Sequence, residues 1–222
     1  MPSKNSTKVY SPESMYHIYN RGVDKRIIFE DEKDYAVFLS FLKYALLSED
    51  EISRSKSVDT TQISDSSRFN LRRAGLFGKV ELVSFCLMPN HFHLLLYQYD
   101  VDGITRLMRS VATGYSLYFN KRHKRSGTLF QGRYKARMID SQEYWDHISR
   151  YIHLNPLEIS DNLTSYQYSS YPYFVGDKSA KWLRPGLVLD GFKSKQEYRQ
   201  FVIGYIPKRK ELKDIEHLLA DK

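Results

Sequence analysis

Regular patterning begins at Tyr16, where Tyr16-His17-Ile18-Tyr19-Asn20-Arg21 is rich in β-formers and stops at Gly22, which predicts a first strand. Asp31 can cap a helix on which Tyr35, Phe38, Leu39, Leu42, Ala45 and Leu46 recur at helical spacing. From about 48 to 79 the apolar period disappears. Seven serines fall between Ser48 and Ser67, then Arg72-Arg73 and two glycines follow, so this stretch reads as a surface loop or an insertion. Val80 to Met88, VELVSFCLM, reads as a mostly buried strand, Pro89-Asn90 as a turn, and His91 to Tyr99 as a strand returning antiparallel. Asp102 can open a second helix with Ile104, Leu107, Met108, Val111, Tyr115 and Tyr118 on one stripe. It ends in Lys121, Arg122, Lys124 and Arg125 before Gly127, where cations suit a helix C-terminus. Residues 128 to 139 alternate again and predict a fourth strand. Asp140 with Glu143 resembles a capping box for a third helix carrying Tyr144, Ile148, Tyr151 and Ile152 on one face. Pro156 disfavours helical geometry at Asn155, so that helix is expected to end there.

The order β-α-β-β-α-β-α is the α+β, ferredoxin-like pattern, an antiparallel sheet with helices packed on it. Beyond about residue 160 the chain turns Tyr-rich and irregular, with helical stretches around Lys193 to Ile203 and Glu211 to Leu219. The expected division is therefore a domain over 1–160, with the Ser-rich insertion at about 48–79, and a helical C-terminal extension over 161–222.

Composition narrows the classes. With 222 residues, 41% hydrophobic and 14% aromatic, the chain has the makings of a packed core, which excludes wholesale disorder. The formal net charge of +8 points to a polyanionic partner, nucleic acid or an anionic membrane. A lone Cys86 cannot make an internal disulfide or a multi-cysteine zinc site and suits a reducing cytosol. The N-terminal residues lack a signal-peptide stretch and no apolar run could span a bilayer, so a soluble cytoplasmic protein, not a membrane protein, is expected.

Three features carry chemistry. In Pro89-Asn90-His91-Phe92-His93 the two histidines lie on one strand face, where they make either half of a metal site or a pair of hydrogen-bonded core histidines. Tyr151 and Asn155 lie one turn apart on one helix face. The phenol could attack phosphorus and the carboxamide oxygen could complete a metal site; the bland reading of Tyr151 is packing, and His147 is read as a bland neighbour. The third feature is charge. Residues 103 to 139 hold Arg106, Arg109, Lys121, Arg122, Lys124, Arg125, Arg133, Lys135 and Arg137 and no Asp or Glu. On the fourth strand Gln131, Arg133, Lys135 and Arg137 alternate onto one face, a pattern expected to meet nucleic acid. The basic helix has no wide apolar face to spare for a membrane. No Walker A loop, GxGxxG, GxSxG or Cys-pair spacing occurs, so nucleotide hydrolysis, dinucleotide redox and serine esterase chemistry lose their usual signatures.

Four blocks, YHIYNRG at Tyr16 to Gly22, MPNHFHLLL at Met88 to Leu96, GTLFQGRYKARMID at Gly127 to Asp140 and SRYIHLNP at Ser149 to Pro156, together resemble the single-tyrosine HUH transposases of the insertion-sequence type, in particular the REP-associated tyrosine transposases. The resemblance implies that His91 and His93 are metal ligands with Asn155 as a further polar ligand for Mg²⁺ or Mn²⁺, and that Tyr151 is the nucleophile. It also implies cleavage of single-stranded DNA near hairpins, with Arg21, Gln131 and the cations named above gripping phosphates and Tyr19 and Phe130 stacking on bases. Monomer and homodimer both stay open. The competing class is a domesticated or non-catalytic nucleic-acid-binding module with RNA-recognition topology, which explains the charge and aromatics but not the coincidence of His91, His93, Tyr151 and Asn155.

Overall fold

The computed structural model describes residues 10–54, 75–176 and 178–208. Four strands, β1 (Ser14–Arg21), β2 (Val80–Met88), β3 (His91–Gln98) and β4 (Lys135–Ile139), form one antiparallel sheet in the order β2-β3-β1-β4. The helices are α1 (Glu32–Leu46), α2 (Glu49–Arg54), α3 (Gly103–Arg122), α4 (Gln142–Leu154), α5 (Tyr171–Val175), α6 (Gly186–Leu189) and α7 (Lys195–Ile203). The fold is α+β with ferredoxin-like topology and a helical C-terminal extension. Among the described residues no helix is long and apolar enough to cross a membrane.

The sheet is covered on both faces. Ile18, Phe92, Leu94 and Leu96 point to one side, where they pack with Phe38, Phe41 and Leu42 of α1 and Leu107, Val111, Tyr115 and Phe119 of α3. Met15, Cys86, Met88 and Leu95 point to the other, against Ile148, Tyr151 and Ile152 of α4 and Phe174, Tyr198 and Val202 of the extension. Because residues on a strand alternate between faces, each strand feeds both cores, which is why β2 and β3 read as nearly continuous apolar runs. Gly114 sits where α3 meets α1: a Cβ there would land on the Phe41 ring, with Cζ 2.9 Å away. Gly114→Ala should therefore destabilise the protein by about 1–3 kcal/mol through overpacking, outweighing the gain of about 1 kcal/mol in helix propensity. Urea unfolding measures this, and an unchanged or raised midpoint would contradict the close packing.

Local expectations hold at Asp31, whose side chain accepts from the N–H groups of Lys33 and Asp34, and at the β2–β3 turn, where Met88 and His91 pair across Pro89-Asn90. Others need correction. The segment 48–79 is not loop throughout: α2 opens on a capping box in which the Glu51 N–H donates to Ser48 Oγ (3.3 Å) and the Ser48 N–H to Glu51 Oε2 (3.1 Å). Leu76 is buried in the α1/α3 core, while the rest of the Ser-rich stretch, 55–74, lies outside the described residues, as does 211–219. The fourth strand is only Lys135–Ile139. Ahead of it Phe130 makes an isolated bridge to Gly22, and Gly127 and Gly132 take φ of +83° and +69°, which a strand cannot continue through. Ser141, not Asp140, caps α4, its hydroxyl accepting from Tyr144 N–H (3.4 Å). Tyr144 is 59% exposed and does no packing work; the face of α4 it occupies turns to solvent at that end. The α-helix ends at Asn155 as expected, but Asn155 keeps helical angles (φ −52°, ψ −43°) despite Pro156, because the chain tightens there into a 3₁₀ turn, Asn155–Glu158. Phe119 rather than Tyr118 is the fully buried ring of α3's last turns.

The C-terminal extension builds onto β2 and α4. Leu87 N–H donates to Tyr168 O (2.9 Å), Ser170 N–H to Phe85 O (2.9 Å) and Arg184 N–H to Leu82 O (2.8 Å), so the extension covers the β2 edge.

Candidate active site and nucleic-acid face

Pairing register decides which side chains meet. Tyr19 lies opposite His93 on β3 and opposite Lys135 on β4, and His17 lies opposite Arg137. Directly opposed residues share a sheet face. His17, Tyr19, His93, Lys135 and Arg137 therefore occupy the face that α4 covers. Tyr151 comes down on it from α4, 8% exposed, its ring edge-on to His93 (centroids 5.3 Å) and to His17 (6.0 Å).

His91 and His93 present their rings 5.1 Å apart. Asn155 reaches the same place: its Nδ2 donates to Tyr151 O (2.9 Å), which turns its Oδ1 toward His91 Nε2, 3.4 Å away. His91 Nδ1 meets Asn90 Oδ1 at 2.6 Å. That oxygen only accepts, so Nδ1 carries the proton and, in the neutral ring, Nε2 carries a lone pair. Two acceptors, His91 Nε2 and Asn155 Oδ1, then face each other, an arrangement that a cation relieves and a hydrogen bond cannot. His93 Nε2 is buried without a hydrogen-bond partner. Burial first, then the neighbouring His91 and His17, holds His93 well below the usual imidazole range, so it is neutral and able to ligate. Among the described residues no group of three His, Cys, Asp or Glu side chains could hold a metal ion. The donors at hand are the imidazoles of His91 and His93 and the amide oxygen of Asn155, a set without carboxylates that suits a divalent cation without supplying charge to it.

His17 and Asn90 are the residues that sequence reasoning missed. His17 Nε2 lies 2.9 Å from His93 Nδ1, and burial, with a smaller contribution from Arg137, pushes its pKa down to about 3. The signal was available: His17-x-Tyr19 on β1 has the same two-residue step as His91-x-His93.

Behind Tyr151, the opposite side of α4 is gripped by the extension. His153 bonds to Tyr198 OH (2.7 Å) and Ser170 Oγ (2.8 Å), and Ser149 Oγ bonds to Tyr198 OH (2.9 Å). The buried Arg150 guanidinium lies over the rings of Phe201 (4.2 Å) and Tyr205 (3.8 Å). His147 packs toward Phe201 and Arg150 and stays with that layer.

The cations divide by layer. Lys135 and Arg137 are exposed on the site face, with Lys135 Nζ 5.8 Å from the Tyr19 ring. Arg21 lies opposite His91 and its Nε donates to Gln131 Oε1, so this pair borders the site; Gln131 and Arg133 precede β4 and do not share its alternation. The α3 cations belong to the other layer. Arg106 pairs with Asp102 (3.0 Å) and Asp100 (3.6 Å), and Arg122 forks to Asp31 and the fully buried Asp34. Arg125 bonds Asn120 Oδ1 (3.2 Å) beside Phe119, while Arg109, Lys121 and Lys124 are exposed. An acid-free stretch of sequence is thus not an acid-free surface. Phe130 is buried among Phe92 and Tyr115 and cannot stack on a base, whereas Tyr19 stays half-exposed.

No curated protein matches this sequence. Among solved structures, a REP-associated tyrosine transposase bound to a REP hairpin has the same fold: TM-score 0.52 at 13% identity, over 78% of this chain and 85% of that one. A Deinococcus radiodurans R1 protein, itself only provisionally assigned as a transposase, aligns at TM-score 0.29 and 15% identity over 68% of this chain and 95% of that one, too loosely to argue from. The sequence family described as "Transposase IS200 like" matches residues 53–155. That match runs from the end of α2 through β2, β3, α3, β4 and α4 to Asn155, and over this stretch the chain is similar to the IS200-like transposase family.

Proposed function

We propose that this chain is a metal-dependent single-stranded DNA endonuclease and strand transferase that cuts near hairpins through a 5′-phosphotyrosine intermediate. The observation that carries the reading is Tyr151 seated edge-on over His93, on the helix that also brings Asn155 to His91. The related fold bound to a REP hairpin supports the choice of DNA.

His91 Nε2, His93 Nε2 and Asn155 Oδ1 would hold Mg²⁺ or Mn²⁺, which when bound supplies positive charge to the non-bridging oxygens of the scissile phosphate. Tyr151 Oη attacks phosphorus, the P–O3′ bond breaks, and the proton lost by the phenol ends on the departing 3′ oxygen. The bond energy is kept in the phosphotyrosine ester, so a 3′-OH can reverse the step and join a new strand. The cover of α4 and the extension over the sheet limits water around Tyr151 and so protects that ester from hydrolysis. Tyr19 offers a ring for base stacking beside the cations of β4. The test is incubation with labelled single-stranded hairpin DNA and Mn²⁺. A denaturation-resistant protein–DNA band is expected; binding without any such band would leave a non-catalytic module.

Lys135 and Arg137 lie two residues apart on one strand face, about 6.6 Å, which suits a phosphate track. Lys135→Ala/Arg137→Ala should flatten the slope of log K against log salt on single strands by about 1.4, at about 0.7 per lost phosphate contact. Arg106→Ala should leave the slope unchanged, since Asp102 and Asp100 already answer its charge. Salt titrations of the three proteins decide whether the β4 face or α3 meets DNA.

A further inference from the structure

We propose that His17 is the positioning residue for His93: once a cation takes the lone pair of His93 Nε2, His17 Nε2 accepts the Nδ1–H of His93 and so holds the ring and its tautomer in the site. The inference rests on the metal reading above and deepens it.

The contact is 2.9 Å between His17 Nε2 and His93 Nδ1, with the rings 19° from parallel. Both residues are buried, 2% and 5% exposed, so water does not compete for the shared proton. Neutral imidazole has one donor and one acceptor, so the pair has two arrangements. If His17 donates, His93 is left with Nε2–H and cannot ligate. If His93 donates, its Nε2 is a lone pair and His17 carries its own proton on Nδ1. The remaining nitrogens, His93 Nε2 and His17 Nδ1, are buried without hydrogen-bond partners, so among the described residues nothing else fixes the choice. A cation at His93 Nε2 does fix it, and the fixed state is read out one residue away, at His17.

Surroundings hold the His17 ring in place. Tyr19 stacks on it at 5.0 Å, the Tyr151 ring meets it edge-on at 6.0 Å, and Arg137 stands opposite on β4. A metal-bound histidine usually gives its second N–H to a carboxylate, carbonyl or water. Here a neutral imidazole takes that place. It orients His93 without adding negative charge, so cation affinity is left to the neutral donors and to the incoming phosphate.

The experiment uses the full chain and reads metal binding rather than cleavage. Mn²⁺ titration followed by electron paramagnetic resonance should show His17→Leu binding about 10- to 100-fold more weakly than wild type, the cost typical of losing an outer-shell partner. His17→Gln, whose side-chain oxygen can accept from His93, should recover most of that loss. In ¹⁵N-histidine-labelled wild type, saturating Mg²⁺ should leave His17 protonated at Nδ1 and His93 at Nδ1. Equal Mn²⁺ affinity of His17→Leu and wild type, or a His17 that keeps its proton on Nε2 in Mg²⁺, would overturn the pairing while the metal reading stands. A wild type that binds no Mn²⁺ would overturn the metal reading itself, and the inference with it.

Discussion

Tyr151→Phe is expected to bind single-stranded hairpin DNA as tightly as wild type and to form no covalent adduct. The substitution removes one oxygen and keeps the ring, which is what packs against His93 and His17 and contributes to the core between α4 and the sheet. The ring packing is therefore kept, and the expected effect falls on the bond-making step. Removing the covalent nucleophile of a serine protease costs about 10⁶-fold in turnover, so the adduct should vanish from a gel assay. Neither neighbouring phenol is placed to replace it. Tyr144 is two turns back on α4 and turned to solvent, and Tyr19 lies flat against His17 and His93. An undiminished adduct in Tyr151→Phe would move the nucleophile to one of these two.

His93→Ala and His91→Ala should each lose most of the cleavage, with EDTA reproducing both, yet they should differ in stability. His91 is half-exposed at the sheet end, and its loss leaves Asn90 and Asn155 near solvent. His93 is buried, and its removal strands His17 Nε2 in the core, at a cost of about 1–3 kcal/mol for an unsatisfied buried polar group, in addition to the cavity. Nicking rates with and without Mn²⁺, set beside urea unfolding of both variants, separate the shared chemical defect from the unshared structural one. Cleavage that persists in EDTA would leave the histidines as structural or acid–base groups.

The element order and the facing of His91 and His93 were legible because they rest on local rules: strand alternation, the Pro89-Asn90 turn, and apolar spacing on α1 and α3. Tyr151 and Asn155 were placed together by the same helical arithmetic. What depended on register between distant strands was not legible. That His17 would lie against His93 requires knowing that β1 sits beside β3, and that Lys135 and Arg137 share the site's face requires β4 beside β1. Which of the cations are already answered by acids was not legible for the same reason: Asp31 and Asp34 are some ninety positions from Arg122 in sequence, yet bonded to it in space. The boundaries of β4 were misjudged because alternation continues through Gly132, where the backbone takes a left-handed turn that side-chain pattern does not record. The extension's hold on α4 could not be seen at all, since Tyr198 and His153 make it through a fold-dependent contact.

The most direct test of the account is to trap the product of the wild type on a single-stranded hairpin, digest protein and DNA, and locate the linkage by mass spectrometry. The account predicts a nucleotide joined through its 5′-phosphate to Tyr151 and a free 3′-OH on the released strand. A linkage on any other residue, or cleavage that leaves a 5′-phosphate with no protein attached, would contradict it.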